Sequence, residues 1–156
     1  MTDMNTLRRI LTQYRRIAMV GLSADWSRPS NFVAKYLLEH DFDVIPVNPR
    51  YDEILGQKCY PDLAAIPTPV DIVDLFQKAE RIPPFVDAAI DMNAAIVWMQ
   101  LGIVHESAAD KARAAGLTVV MDRCMKIEYA RLFGGLNTAG VNTGVISARR
   151  PVVFNR

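Results

Sequence analysis

Five short apolar runs, separated by amphipathic stretches of helix length, constrain this chain more than anything else in it. They fall at residues 17–20, 44–47, 70–76, 95–99 and 117–121, each of strand length. The first, Ile17-Ala18-Met19-Val20, is apolar at every position, the pattern of a strand covered on both faces. Residues 4–15 carry Leu7, Ile10, Leu11 and Tyr14 as one helical stripe. Thr2 or Asp3 suits the start of that helix, and Arg15 and Arg16 suit its negative end. Pro29 opens a second helix with Val33, Tyr36 and Leu37 inward, closing near Glu39 and His40. Pro83 and Pro84 open a third over about 85–93, residues 106–115 form a fourth stopped by Gly116, and residues 124–131 a short fifth. Strands alternating with helices imply right-handed βαβ units. The expected fold is α/β: a Rossmann-like, doubly wound, mostly parallel five-stranded sheet with helices on both faces.

Three stretches do not fit that rhythm. Pro46 sits inside the second strand and removes a ladder donor, so an irregular or unpaired position is expected there. Residues 51–69 contain Gly56, Pro61, Pro67 and Pro69 and read as an irregular excursion with one short helix near Leu63. Residues 134–156, rich in Gly, Asn and Thr at first, read as a mobile C-terminal tail to a domain spanning 1–133, whose residues 1–15 hold the N-terminal helix.

Composition removes several classes of function. A formal charge of +1 gives no general electrostatic case for nucleic acid or an anionic membrane. No apolar run approaches the roughly 20 residues of a membrane span, and the first 16 residues lack the apolar core of a signal peptide. Two cysteines, Cys59 and Cys124, are too few for a disulfide framework and fit a reducing compartment. A cytoplasmic single domain is expected.

In a doubly wound sheet, ligands bind beyond the carboxyl ends of the strands, where strand order reverses. After the first strand come Gly21, then a polar loop, then the helix opened by Pro29. Gly21 allows a tight turn or close backbone approach, Ser23 and Ser30 offer hydroxyls, and the helix start adds its positive dipole end. Arg28 can clamp a phosphate through its guanidinium fork. The three-glycine dinucleotide fingerprint is missing. After the second strand comes Asn48-Pro49-Arg50, where an NAD site usually places a carboxylate for the ribose hydroxyls. A cation without a carboxylate disfavours NAD and favours an adenosine ribose that carries its own phosphate. NADP and coenzyme A both meet that condition.

Six ordered motifs, G-L-S-x-x-x-x-R-P-S-N, V-I-P-V-N-P, L-G-x-x-x-Y, V-D-I-V-D-L-F, W-M-Q-L-G-I and V-M-D-R-C-x-x-x-E, lie between residues 21 and 128. Together they resemble the small stand-alone CoA-binding proteins, which are similar in fold to the N-terminal CoA-binding domain of the succinyl-CoA synthetase alpha subunit. The resemblance runs from about Arg16 to Arg131, with a further match at residues 142–147. It implies that Gly21, Leu22, Ser23, Arg28 and Ser30 surround the CoA phosphates. It sets Val47, Asn48, Pro49 and Arg50 against the adenosine and its 3′-phosphate. Phe76, Gln77 and Lys78 would border the nucleotide or pantetheine arm, with Trp98 and Gln100 farther towards the thiol. The implied ligand is coenzyme A or an acyl-CoA, held by a non-catalytic or regulatory module, with a homodimer or a partner enzyme as the associated chain. The alternatives are an NADP-dependent oxidoreductase and a CoA-carrying subunit of a multi-chain acyl-CoA ligase. No G-x-x-x-x-G-K-[ST] loop is present, so a complete ligase is not expected.

Catalytic groups are sparse. Arg123 beside Cys124 can lower a thiol pKa, but no base is paired with it in the sequence. His40 and His105 are far apart and have no ligands at metal spacing, so no metal site is expected. Asp71, Asp74 and Asp122 lie near strand ends and read as partners of caps and loop amides. Glu128 is expected to pair with Arg123 or Arg131. No catalytic residue is assigned.

Overall fold

A computed structural model describes residues 2–133 of the 156-residue chain; the tail expected over 134–156, with its matching motif at 142–147, lies outside the described residues. In chain order the elements are α1 (Met4–Gln13), β1 (Arg16–Val20), α2 (Pro29–Glu39), β2 (Asp43–Val47), β3 (Glu53–Ile54), β4 (Gln57–Lys58), β5 (Ile72–Leu75), α3 (Ile82–Asp91), β6 (Ile96–Met99), α4 (Glu106–Ala114), β7 (Thr118–Val120) and α5 (Met125–Leu132). Five strands form one sheet in the order β2-β1-β5-β6-β7, every pair parallel. This is the 2-1-3-4-5 order of the doubly wound class, and its reversal point lies between β1 and β5.

The strand period of two divides the core. Ile17, Met19, Ile72, Ile96 and Trp98 face α1, α2 and α5. Ala18, Val20, Val73, Leu75, Val97 and Met99 face α3 and α4. Both faces are thus apolar, which explains strands without alternation. Asp3 caps α1 by accepting from Thr6 N at 2.7 Å. The arginines after α1 do not serve its end: the helix stops at Gln13 with no basic residue in its last turn. Arg15 instead lies over the Phe42 ring, 4.4 Å from its centroid, and Arg16 pairs with Asp43 at 3.1 Å.

Pro46 causes no irregularity. It stays in register with Met19, and its carbonyl points to the outer edge, where it accepts from Tyr60 N at 3.0 Å. A residue's N–H and C=O point to the same side of a strand, so the missing donor also lies on the edge and costs β1 nothing. The 51–69 excursion is more ordered than its composition suggests. It holds the two-stranded β3–β4 hairpin and a 3-10 turn over Leu63–Ala65. The α3 helix begins at Ile82, three residues before the expected start, because Pro83 and Pro84 occupy a first turn whose N–H groups have no intrahelical partner.

Trp98, expected near the ligand, is wholly buried on the α1/α2/α5 face and donates from Nε1 to the Arg123 carbonyl at 2.8 Å. Trp98→Phe therefore leaves that carbonyl without its partner, and thermal or urea melts should show a loss of about 1–3 kcal/mol. Unchanged stability would show that the bond contributes nothing.

Candidate ligand-binding cleft

The ends of β1, β2, β5 and β6 open into a cleft of about 1070 Å³. Twelve of the fourteen residues named from sequence line it: Gly21, Ser23, Arg28, Ser30, Val47, Asn48, Pro49, Arg50, Phe76, Gln77, Lys78 and Gln100. Leu22 and Trp98 do not, since both are fully buried in the core. Strand order explains the gathering: the loops after neighbouring strands leave the sheet on the same edge.

Gly21 sits at the reversal point. Its φ is +86°, and a Cβ placed there would lie 2.2 Å from the Phe76 carbonyl oxygen and 2.8 Å from Gln77 Nε2. Only glycine permits both the dihedral and the approach. The loop beyond it is held from inside. Ser30 Oγ accepts from Ser23 N at 3.0 Å, and Asn31 Nδ2 donates to Ser23 O at 2.8 Å. Asp25 Oδ1 accepts from both Ser27 N and Ser27 Oγ, which hold its carboxyl below the usual range. Ser30 is thus no helix cap; Arg28 occupies that position, exposed at the mouth of the cleft. Asn48 joins the two loops, donating from Nδ2 to Leu22 O and accepting on Oδ1 from Arg50 N, both at 3.0 Å.

Among the described residues, four cations, Arg28, Arg50, Lys78 and Arg81, line the cleft against one carboxylate, Asp25. Arg81 escaped sequence reasoning because it lies in a short 3-10 turn before α3, several residues past the end of β5.

Beneath Gln100, the structure departs from the expectation for Asp74. Asp74 has no loop amide to bond; it is fully buried within β5, level with Met19 and Trp98. Gln100 Nε2 donates to its Oδ1 at 2.5 Å, and its Oδ2 has no partner among the described residues. Burial pushes the Asp74 carboxyl up to about 8, against the weaker lowering by Gln100. An acid inside an otherwise apolar strand was the available signal, because a mid-strand side chain cannot reach a loop. Asp71 and Asp122 do bond amides, of Arg16 at 3.1 Å and Gly102 at 2.7 Å.

Cys124 also lines the cleft. Arg123 does not activate it, since that guanidinium reaches Glu128 at 3.5 Å and burial pushes the Cys124 thiol up. Glu128 takes Arg131 as well, at 3.0 Å. His105 Nδ1 accepts from Ala108 N at the start of α4, and His40 stacks on Tyr36 with centroids 4.0 Å apart. Among the described residues, no cluster of three His, Cys, Asp or Glu could hold a metal ion, and no helix is long and apolar enough to cross a membrane.

The family model described as "CoA binding domain" matches residues 15–130. YneT, an uncharacterized protein of Bacillus subtilis, is 38% identical over 124 residues, covering 80% of this chain and 92% of that protein. Acetate–CoA ligase [ADP-forming] I of Archaeoglobus fulgidus is 34% identical over 119 residues, covering 70% of this chain but 17% of the ligase. Among solved structures, a hypothetical protein from Pyrococcus horikoshii OT3 superposes with a TM-score of 0.83 at 46% identity, covering 85% of this chain and 94% of that one.

Two outcomes test the cleft without any ligand. Gly21→Ala meets both the dihedral and the Phe76 carbonyl, and should cost more than about 2 kcal/mol in urea melts; a neutral result would refute the close approach. Asp74 stays protonated in the folded chain up to about pH 8, against an ordinary value of 3.8. The folded state therefore holds one proton more through that window, and stability present below pH 3.8 is lost as pH rises. Wild type should fall relative to Asp74→Asn by about 1.4 kcal/mol per pH unit across it, and a gap that stays constant between about pH 5 and about pH 8 would contradict this.

Proposed function

The chain belongs to the CoA-binding domain family, and from that premise we propose that its cleft binds coenzyme A or an acyl-CoA, as a non-catalytic or regulatory module. One observation carries the reading: the end of β2 offers Arg50 and no carboxylate, within a cleft where four cations face one acid. A dinucleotide with free ribose hydroxyls needs an acceptor there, whereas a ribose phosphate needs a cation. In this reading the pyrophosphate lies against residues 21–30 and the start of α2, where backbone amides and the helix dipole favour an anion. The adenosine and its 3′-phosphate lie along Val47–Arg50, and the pantetheine arm crosses Phe76–Lys78 towards Gln100. With strands about 4.8 Å apart, the three gaps from β2 to β6 span about 14 Å, suited to an extended ligand.

The likeness to 17% of the Archaeoglobus ligase supports a second reading, in which the chain lends its bound CoA to a partner enzyme. Co-purification of an ATP-using protein would favour it. Two free thiols, Cys59 and Cys124, fit work in a reducing compartment such as the cytoplasm.

Isothermal titration with CoA, dephospho-CoA, NADP and NAD tests the proposal. CoA should bind more tightly than dephospho-CoA, and Arg50→Ala should weaken CoA by about 10–100-fold, the worth of a hydrogen bond between charged groups, while changing dephospho-CoA far less. Equal binding of the two ligands by wild type would remove the 3′-phosphate contact. Absence of CoA binding would remove the whole reading, and tight NADP binding would replace it with an oxidoreductase.

A further inference from the structure

Asp74 and Gln100 form a pair that neither the phosphate loop nor the adenosine site uses. Gln100 lies at the end of β6, 3% exposed, and lines the cleft on the side away from β2. Asp74 lies beneath it with no accessible surface. We propose that Asp74 is a positioning residue: as a neutral acid it donates its proton to Gln100 Oε1, which turns the Gln100 NH2 group into the cleft as a hydrogen-bond donor to the thioester carbonyl of an acyl-CoA. This rests on the coenzyme A reading above and gives it a substrate class, an acyl thioester in preference to the free thiol.

The geometry supports the protonated form. A carboxylate needs several donors or a cation when buried, and among the described residues Asp74 has Gln100 for one oxygen and no partner for the other. An amide's two ends are distinguished only by the bonds they make, so a neutral Asp74 permits the end facing it to be Oε1. The opposite end, NH2, then faces the cleft.

Among the described residues, the surroundings supply no counter-charge. In register with Asp74 stand Met19 on β1 and Trp98 on β6, and neither titrates. On the same face, α1 contributes Leu7, Ile10 and Leu11, and α2 contributes Val33, Ala34 and Leu37. At the start of α5, the Cys124 thiol feels the charge of Asp74 and is itself pushed up by burial, so it is neutral at pH 7. Glu128 on α5 is taken by Arg123 and Arg131. No cation is among the influences on Asp74, whose carboxyl burial pushes up to about 8. Above that pH the carboxylate requires Nε2 as its donor, and Oε1, an acceptor, turns to the ligand. The preference for a carbonyl is therefore present at neutral pH and lost as pH rises through about 8.

The test compares acetyl-CoA with S-ethyl-CoA, which has the same length and phosphates but no carbonyl and no ionisable thiol. Titrations of the full chain from about pH 6.5 to about pH 9.5 should show acetyl-CoA bound about tenfold more tightly at pH 7, the worth of one hydrogen bond, with the ratio approaching one at the alkaline end. Asp74→Asn, neutral throughout, should give a ratio that does not change with pH. Infrared spectra of the ligand-free wild type should show the carbonyl stretch of a protonated carboxyl at pH 7, absent from Asp74→Asn. Equal affinities at pH 7, a pH-dependent ratio that persists in Asp74→Asn, or absence of that band each overturn the inference while leaving CoA binding intact. Failure of both ligands to bind overturns the coenzyme A reading and this inference with it.

Discussion

The close approach of Gly21 to the Phe76 carbonyl is the contact on which the rest of the cleft depends. β1 and β5 are neighbours in the sheet, yet the chain leaves them towards opposite faces. Between them a crevice opens only if the turn after β1 is tight enough to clear the turn after β5. A side chain at position 21 would collide with backbone, which cannot swing aside. With the turn fixed, the Ser23–Ser30 and Asn31–Ser23 bonds close the polar loop on itself, and Asn48 fastens it to the end of β2. The three-glycine dinucleotide fingerprint is unnecessary here because side chains, not further glycines, shape the loop.

Much of this was legible in sequence because it follows from periodicity and from where strands end. Five unalternating runs can be satisfied only by a sheet covered on both faces, and the positions just beyond those runs must share one edge. That logic gathered residues as far apart as Ser23, Arg50, Lys78 and Gln100. It failed where local spacing stopped being informative. The β3–β4 hairpin turns through Leu55 and Gly56, both at positive φ, and a leucine there carries no turn signature. Trp98, expected towards the thiol, has its ring in the core beneath α1, α2 and α5, where Nε1 donates to the Arg123 carbonyl, while Val97 and Met99 point to the α3/α4 core. Acids near strand ends usually bond loop amides, which is the sequence expectation for Asp74; only the register with Met19 and Trp98 shows it to be inside the sheet.

Polar side chains in the cleft divide by what they are already bound to. Ser30 and Asn48, with the buried Asn31 behind the loop, are largely engaged in holding loops, so changing them would alter shape before it altered any contact with a ligand. Arg28, Arg50 and Lys78 are exposed at the same site and supply charge on a frame built by others. Rigid polar joints inside and cationic side chains outside suit a ligand held through phosphates, where the position of the anion matters more than close packing around it.

Pro46 has a consequence beyond the loss of a single donor. β2 is one of the two edge strands, and an edge strand ordinarily offers its backbone as a template for another chain. Here Tyr60 occupies the carbonyl of Pro46 and the amide of Asn48, and the proline nitrogen offers nothing between them and the strand's start. The end of β2 nearest the cleft is therefore already paired along its outer margin, and a second chain would find no ladder partners there.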